Sequence, residues 1–199
     1  MCTFCRDQLP LTEYSFNEEN AVDRIFYGRT DIKKASSLLF YTENGIVQNL
    51  IHQLKYRNQP QIGSFLGDWF GQLLVENGFS DPIDMVIPVP LHPRKLKKRG
   101  YNQVTLFARR LAEHLGASLE ADILHKTANT RTQTRKNRLL RWRRIPELYR
   151  LSDPSLISGK SILLVDDVIT TGATIEACAQ ALHKSPNVKI YVATMAVVP

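Results

Sequence analysis

The sequence contains few cysteines and no long hydrophobic run, and each of these features excludes a class of protein. Three cysteines in 199 residues are too few for a disulfide framework, so we expect a reducing compartment. No apolar run approaches the ~18 residues of a membrane span, and the opening residues Met1, Cys2 and Thr3 do not begin a signal peptide. We therefore expect a cytoplasmic protein with no membrane insertion.

Positive charge is abundant but unevenly distributed. Of a formal net charge of +7, residues 126–150 contribute nine Lys or Arg against one acid, and residues 94–99 contribute five more. The remainder of the chain is therefore slightly acidic, and we expect polyanion binding to be local. A length of 199 residues with 43% hydrophobic content suits a chain built mainly on one core.

The stretch SILLVDDVITTGAT, residues 161–174, organises the rest of the chain. Its apolar residues 162–165 predict a strand buried on both faces, which runs directly into Asp166 and Asp167. Open α/β sheets bind ligands outside the carboxyl ends of their parallel strands. Both carboxylates are therefore expected in a ligand crevice.

The residues that follow the aspartates predict an anion-binding turn. Gly172 lets the backbone turn, and a helix from about Ala173 adds its positive end, while three threonine hydroxyls supply donors. No lysine follows Gly172, so this is not the GxxxxGK[ST] loop, nor is it GxGxxG. A phosphate monoester fits the turn, and sugar hydroxyls or a divalent cation would give the carboxylates partners. A ribose 5-phosphate satisfies both requirements.

LLVDDVITTGAT resembles the signature of the type I phosphoribosyltransferases, which use phosphoribosyl pyrophosphate (PRPP). Alternating strands and helices agree with the fold that this implies, an α/β central parallel sheet flanked by helices, with a small hood at residues 30–60. The resemblance also implies Mg²⁺ bound with PRPP, and catalytic roles for Asp166, Asp167 and Arg99. The residues expected to bind the 5-phosphate are Thr170, Thr171, Gly172, Ala173 and Thr174.

A second strand, at residues 84–91, is interrupted by two prolines and should end near Ile87. The loop beyond it would present backbone N–H groups to an anion, and the five cations of residues 94–99 should keep that segment mobile until an anion arrives. The resemblance implies that this region binds pyrophosphate through Val89, Pro90, Leu91, Arg94, Lys98 and Arg99, followed by a flexible loop of Gly100, Tyr101, Asn102 and Gln103.

Three further segments, HQLKY, PVPLHPRKLKKRGYNQ and RTQT with the following RW, resemble the ComF family of competence-associated proteins. The likeness covers residues from about 36 to 199. It implies that Cys2 and Cys5 match the second half of a four-cysteine zinc knuckle. We accordingly divide the chain into a partial knuckle with a linker, residues 1–30, and a phosphoribosyltransferase-like domain, residues 31–199.

A structural zinc site needs four ligands, and the sequence has one CxxC pair. The chain could begin inside a longer protein, two chains could share a metal, or the pair could be a relic or a dithiol. Zn²⁺ is therefore expected only if the knuckle is completed.

The acceptor of the phosphoribosyl group is not identified by any residue pair, so we expect an unknown nitrogenous acceptor. The ComF resemblance implies a role in DNA uptake or nucleotide salvage, with single-stranded DNA or a DNA-uptake helicase as partners. Catalysis, PRPP or nucleotide binding without catalysis, and DNA handling all remain open. The candidate nucleic-acid contacts are Arg141, Arg143 and Arg144, with Tyr101, Trp142 and Tyr149 as stacking groups.

Overall fold

A five-stranded parallel sheet forms the centre of the protein. The computed structural model describes residues 3–127 and 147–199. The strands are β1 (Lys34–Phe40), β2 (Met85–Pro88), β3 (Ser118–Leu119), β4 (Leu124–Lys126), β5 (Tyr149–Leu151), β6 (Ser161–Ile169) and β7 (Lys189–Val197). The central sheet has the order β1-β7-β6-β2-β3, and β4 pairs with β5 in a separate antiparallel ribbon.

Helices cover both faces of this sheet. They are α1 (Thr3–Asp7), α2 (Ala21–Arg24), α3 (Ile46–Tyr56), α4 (Gln61–Glu76), α5 (Pro93–Arg99), α6 (Thr105–Leu115) and α7 (Ala173–Leu182), with a short 3-10 helix at Pro154–Ile157. The expected α/β architecture is confirmed.

The core is divided by the sheet into two apolar clusters. Alternate residues of β6 serve opposite faces, so Leu163 packs in one cluster with α4 and α6, whereas Leu164 packs in the other with α7. On the first face α4 lies very close to α6, because a Cβ at Gly67 would stand 2.8 Å from the carbonyl oxygen of Phe107. Cys178 is buried on the second face, as its helical spacing predicts.

Residues 30–60 do not form a separate hood. β1 pairs in parallel with β7 and is therefore an edge strand of the central sheet, and α3 contacts α4. The sequence could not show that this segment pairs with residues 157 positions further along the chain.

The segment interpreted as a linker packs against the core. Leu9, Phe16, Val22 and Phe26 are all buried, and the short helix α2 lies within this segment. Asn20 caps α2, accepting from the N–H groups of Val22 and Asp23. The linker interpretation was wrong because these apolar residues follow no regular period, which is the signal that sequence reading relies on. The division between residues 30 and 31 stays a prediction.

The basic segment expected to be mobile is helical. His92 caps α5 with its imidazole, Pro93 occupies the first turn, and Gly100 ends the helix in the left-handed conformation at φ 85°. These start and stop signals favour a helix. Local capping therefore offsets the repulsion among the cations, of which Arg94, Lys95, Lys97 and Lys98 are exposed.

Candidate functional site

The two aspartates lie inside β6 rather than beyond its end. The strand continues to Ile169, and the backbone partner of Asp166 on β7 is Thr194. Since successive side chains of a strand point to opposite faces, Asp166 and Asp167 do not share one surface. The expected roles of the two carboxylates toward sugar hydroxyls or a cation stay predictions.

Asp167 is buried and already has partners. Its Oδ1 accepts from Lys55 Nζ at 2.8 Å and its Oδ2 from Gln103 Nε2 at 2.5 Å. Gln103 in turn accepts from the Arg99 guanidinium through its Oε1. The side-chain amide of Gln103 thus links the catalytic candidates Arg99 and Asp167. Lys55 supplies the positive charge nearest to the Asp167 carboxylate.

Asp166 is half-buried on the opposite face. Burial, with repulsion from Asp167, raises the pKa of its carboxyl to about 7, against the opposing effects of the Asp167 backbone and the ammonium groups of Lys55 and Lys126. Its Oδ1 accepts from the Asp167 N–H at 2.8 Å. The carboxyl therefore lacks a full positive partner in the part of the chain that is described.

Lys126 and Tyr149 form the surroundings of Asp166 on that face. Lys126 Nζ donates to Tyr149 Oη at 2.9 Å, and burial lowers the pKa of this lysine. Tyr149 is buried, and burial raises the pKa of its hydroxyl. The prediction of Tyr149 as a stacking group was wrong, because its ring is enclosed in the core.

The turn after β6 has the geometry expected of an anion seat. Gly172 adopts φ 74° at the start of α7, while Thr170, Thr171 and Thr174 are exposed. The first N–H groups of a helix have no intrahelical acceptor, and none of the described residues accepts from those of residues 171–174. The exposed threonine side chains and these N–H groups are therefore available to an anion at the start of α7.

The seat is supported from behind by the segment after α2. A Cβ on Gly172 would stand 2.6 Å from Ile25 Cγ2 and 3.0 Å from Phe26 Cε1. Arg29 donates to the Thr171 carbonyl and to Glu176, both at 2.6 Å. Sequence reasoning missed all three supporting residues. These three residues support the turn from the side of α2. The side of the turn that carries the threonine side chains is exposed to solvent.

One of the predicted pyrophosphate amides is already in use. The Val89 N–H donates to the Val165 carbonyl at 2.8 Å, because β2 keeps its pairing with β6 for one residue beyond Pro88. Val89 therefore cannot offer that N–H to an anion, and this prediction was wrong. For Leu91, no backbone acceptor is found among residues 3–127 and 147–199. Pro90 and Leu91 line a surface cavity of ≈ 300 Å³.

The residues predicted as a flexible loop are held by side-chain contacts. The Tyr101 hydroxyl donates to the Leu54 carbonyl, and Asn102 Nδ2 donates to the Val89 carbonyl at 3.0 Å. Gln103 is buried against Asp167. Lys98 and Arg99 line a cavity of ≈ 370 Å³, whereas the Arg94 side chain is exposed on α5.

Several predicted residues lie outside the described part of the chain. These are Cys2, Arg141, Trp142, Arg143 and Arg144. Cys5 lies in α1 and is half-buried, so zinc binding by the CxxC pair stays a prediction. Among residues 3–127 and 147–199, no three His, Cys, Asp or Glu side chains converge as a metal cluster. No helix in these ranges is long and apolar enough to cross a membrane.

Comparison with known proteins defines the class of this fold. Residues 105–196 match the phosphoribosyl transferase domain family. The solved structure of glutamine PRPP amidotransferase from B. subtilis superposes with a TM-score of 0.50 at 20% identity, over 72% of this chain and 30% of that chain. At that identity the likeness concerns the fold alone. The protein has the type I phosphoribosyltransferase fold.

Two relatives with names match this chain over more than two thirds of its length. The DNA utilization protein YhgH of Salmonella typhi is 32% identical over 139 residues, which span 68% of this chain and 60% of the relative. The competence protein ComFC of Bacillus subtilis is 27% identical over 143 residues, or 71% of this chain and 55% of that protein. The chain is thus similar to these two proteins over more than two thirds of its own length, and the match spans somewhat more than half the length of each relative.

Proposed function

We propose that this protein binds PRPP together with Mg²⁺ and transfers the phosphoribosyl group to a nitrogen acceptor, in a ComF-like role. One observation carries the proposal. A buried strand brings two carboxylates to within a few residues of an open turn, where threonine hydroxyls and unpaired N–H groups face solvent at the start of α7. That is the donor set that a sugar phosphate requires, next to the acceptors that its hydroxyls or a cation require.

The residues at this edge divide into two roles. The turn from Thr170 to Thr174 would hold the 5-phosphate. Asp166 would be a magnesium ligand, because burial and repulsion from Asp167 raise the pKa of its carboxyl and a bound cation would offset both effects. Asp167 would hold a ribose hydroxyl or position the ion while it remains bonded to Lys55. The bound ion would supply charge neutralisation for the departing pyrophosphate.

The pyrophosphate group would lie at the loop after β2. The Leu91 N–H, without a backbone acceptor in the described residues, and the cations of α5 supply its donors. Arg99 is the best placed of these cations, because Gln103 couples it to Asp167. Positive charge aimed at the leaving group lowers the barrier as the sugar carbon becomes cationic.

The contacts of Asp167 favour a second candidate function, PRPP binding without catalysis. Both of its carboxylate oxygens accept hydrogen bonds from Lys55 and Gln103. A carboxylate so engaged is less free to respond to charge that develops on a sugar. Such a protein would bind PRPP or a nucleotide as a signal.

The partners of the whole protein belong to the same proposal. Relatives carry the names DNA utilization protein and competence protein, which agree with single-stranded DNA or a DNA-uptake helicase as partners. The nitrogenous acceptor is identified by no described residue. Zinc binding through Cys2 and Cys5 is proposed only for a knuckle that further ligands complete.

Calorimetry with PRPP and Mg²⁺ tests the binding step. The double variant Asp166→Asn with Asp167→Asn should bind at least tenfold more weakly, or about 1.4 kcal/mol. Asp31→Asn is the matched control, because the Asp31 side chain is 66% exposed and lies away from the turn. Undiminished binding by the double variant would reject the carboxylate assignment.

Pyrophosphate release with a panel of nitrogenous bases separates the two candidates. Release that depends on one base supports catalysis and identifies the acceptor. PRPP binding without release, for every base in the panel, favours the regulatory module instead.

A further inference from the structure

A charged cavity beside the proposed PRPP site combines four cations with an exposed aromatic ring. It has a volume of ≈ 370 Å³ and lies between the last turn of α3 and the helix α5. The Tyr101 hydroxyl joins the two walls by donating to the Leu54 carbonyl of α3. The residues that line it and carry the argument are Lys55, Tyr56, Lys95, Lys98, Arg99 and Tyr101.

Three of the four cations that line this cavity have no acidic partner among the described residues. In the described ranges, Lys95, Lys98 and Arg99 form no ion pair with an acidic side chain, and Arg99 bonds only with the neutral Gln103. Lys55 alone has an acidic partner, Asp167. A cavity whose surface is so strongly positive and lacks acids attracts phosphate groups.

Tyr56 provides a flat surface for a base. Its side chain is 66% exposed, which is unusual for a large aromatic residue, and the Arg99 guanidinium lies over its ring at 5.5 Å. The His52 ring stands 5.0 Å from the Tyr56 ring one helical turn earlier. A core role does not explain this ring, because it packs on no apolar cluster. Aromatic rings beside cations are the features that bind bases and backbone in single-stranded nucleic acids.

We propose that this cavity binds a nucleotide unit of single-stranded nucleic acid, with the base stacked on Tyr56 and the phosphates held by Lys95 and Lys98. The site is different from the arginines at 141, 143 and 144 to which the sequence pointed. It shares the α5 cations with the proposed pyrophosphate position and adjoins Asp167 through Lys55, so a bound strand would lie next to the sugar donor. A free nucleotide has the same chemistry, and the test distinguishes the two sources.

Fluorescence anisotropy with a labelled oligothymidylate of about 12 nucleotides tests the stacking surface. Tyr56→Ala should weaken binding about fivefold or more, since one stacked base contributes about 1–3 kcal/mol, and Tyr56→Trp should restore it. Tyr27→Ala is the matched control, because Tyr27 is 59% exposed at another surface, and it should bind like the wild type. Equal binding by Tyr56→Ala and Tyr27→Ala would overturn the inference.

Salt dependence tests the phosphate contacts. Lys98→Gln should reduce the slope of log Kd against log salt by about 0.7, the value for one phosphate contact on a single strand. Lys97→Gln is the control on the same helix, since Lys97 is exposed and does not line the cavity. Equal slopes for the two variants would contradict the assigned contacts.

Competition by thymidine 5′-monophosphate at comparable concentration would support a free nucleotide as occupant, and competition only by strands would support nucleic acid.

This inference can fail or succeed separately from PRPP binding. PRPP affinity is measured by calorimetry on the wild-type protein, because the Arg99 guanidinium lies over the Tyr56 ring and Tyr56→Ala would remove that contact from the proposed pyrophosphate site. A wild-type protein that binds the oligonucleotide through Tyr56 but does not bind PRPP would refute the proposed function alone. One that binds PRPP but shows no Tyr56-dependent oligonucleotide binding would refute this inference alone.

Discussion

Gly172→Ala is the sharpest test of the anion seat, because one added methyl group acts at a defined place. Gly172 has φ 74°, and its Cβ would stand 2.6 Å from Ile25 Cγ2 and 3.0 Å from Phe26 Cε1. The left-handed conformation costs an L-residue about 1–2 kcal/mol. Forcing the two side chains apart adds about 1–3 kcal/mol. The variant should therefore lose about 2–5 kcal/mol of unfolding free energy.

Gly78→Ala separates these two contributions. Gly78 has nearly the same conformation, φ 72°, but nothing lies within 4 Å of its Cβ position. Urea unfolding should show that Gly78→Ala loses only the conformational cost of about 1–2 kcal/mol. PRPP binding should fall for Gly172→Ala and stay unchanged for Gly78→Ala. Equal losses of stability would refute the argument that Ile25 and Phe26 hold the turn.

Three further predictions concern the residues around this edge. Lys55→Met should cost about 3 kcal/mol of unfolding free energy, because it leaves the buried Asp167 without its cation. The control Lys33→Met, at an exposed ion pair, should cost almost nothing. Urea unfolding of both variants checks this prediction. The pKa of Asp166 is raised to about 7 in the folded protein, so its contribution to stability is full below about pH 4 and is lost as pH rises through about 7. Unfolding measured across that range should show this decline in the wild type, and a decline of equal size in Asp166→Asn would contradict it. Asn20→Ala should cost about 1–2 kcal/mol through loss of the α2 cap and of the bond to the Ala35 carbonyl, and Asn49→Ala on an exposed helix surface should change thermal unfolding little.

The contacts of Asp167 show where prediction from sequence stops. Lys55 is 112 positions from Asp167 and Gln103 is 64 positions away. The HQLKY segment, which contains Lys55, resembles the ComF family. A lysine near the end of a helix has an equally good local explanation, so the sequence did not indicate its contact with Asp167. Arg29 and Thr171 are 142 positions apart, and residues before position 30 had no period that indicated packing. Only the folding of α3, α6 and the segment after α2 onto β6 brings these groups together.

Local signals determined the central strand, the turn after it and the class of fold. An unbroken apolar run, adjacent carboxylates and a glycine before a helix act over a few residues, so the chain specifies them directly. Tertiary structure decided how far β6 extends, and therefore which face each aspartate occupies. It also decided that Val89 N–H is used in the sheet and that Tyr149 is buried. The physical reason is that strand pairing and burial depend on residues distant in the chain, and a one-residue shift in pairing register moves every side chain of a strand to the other face.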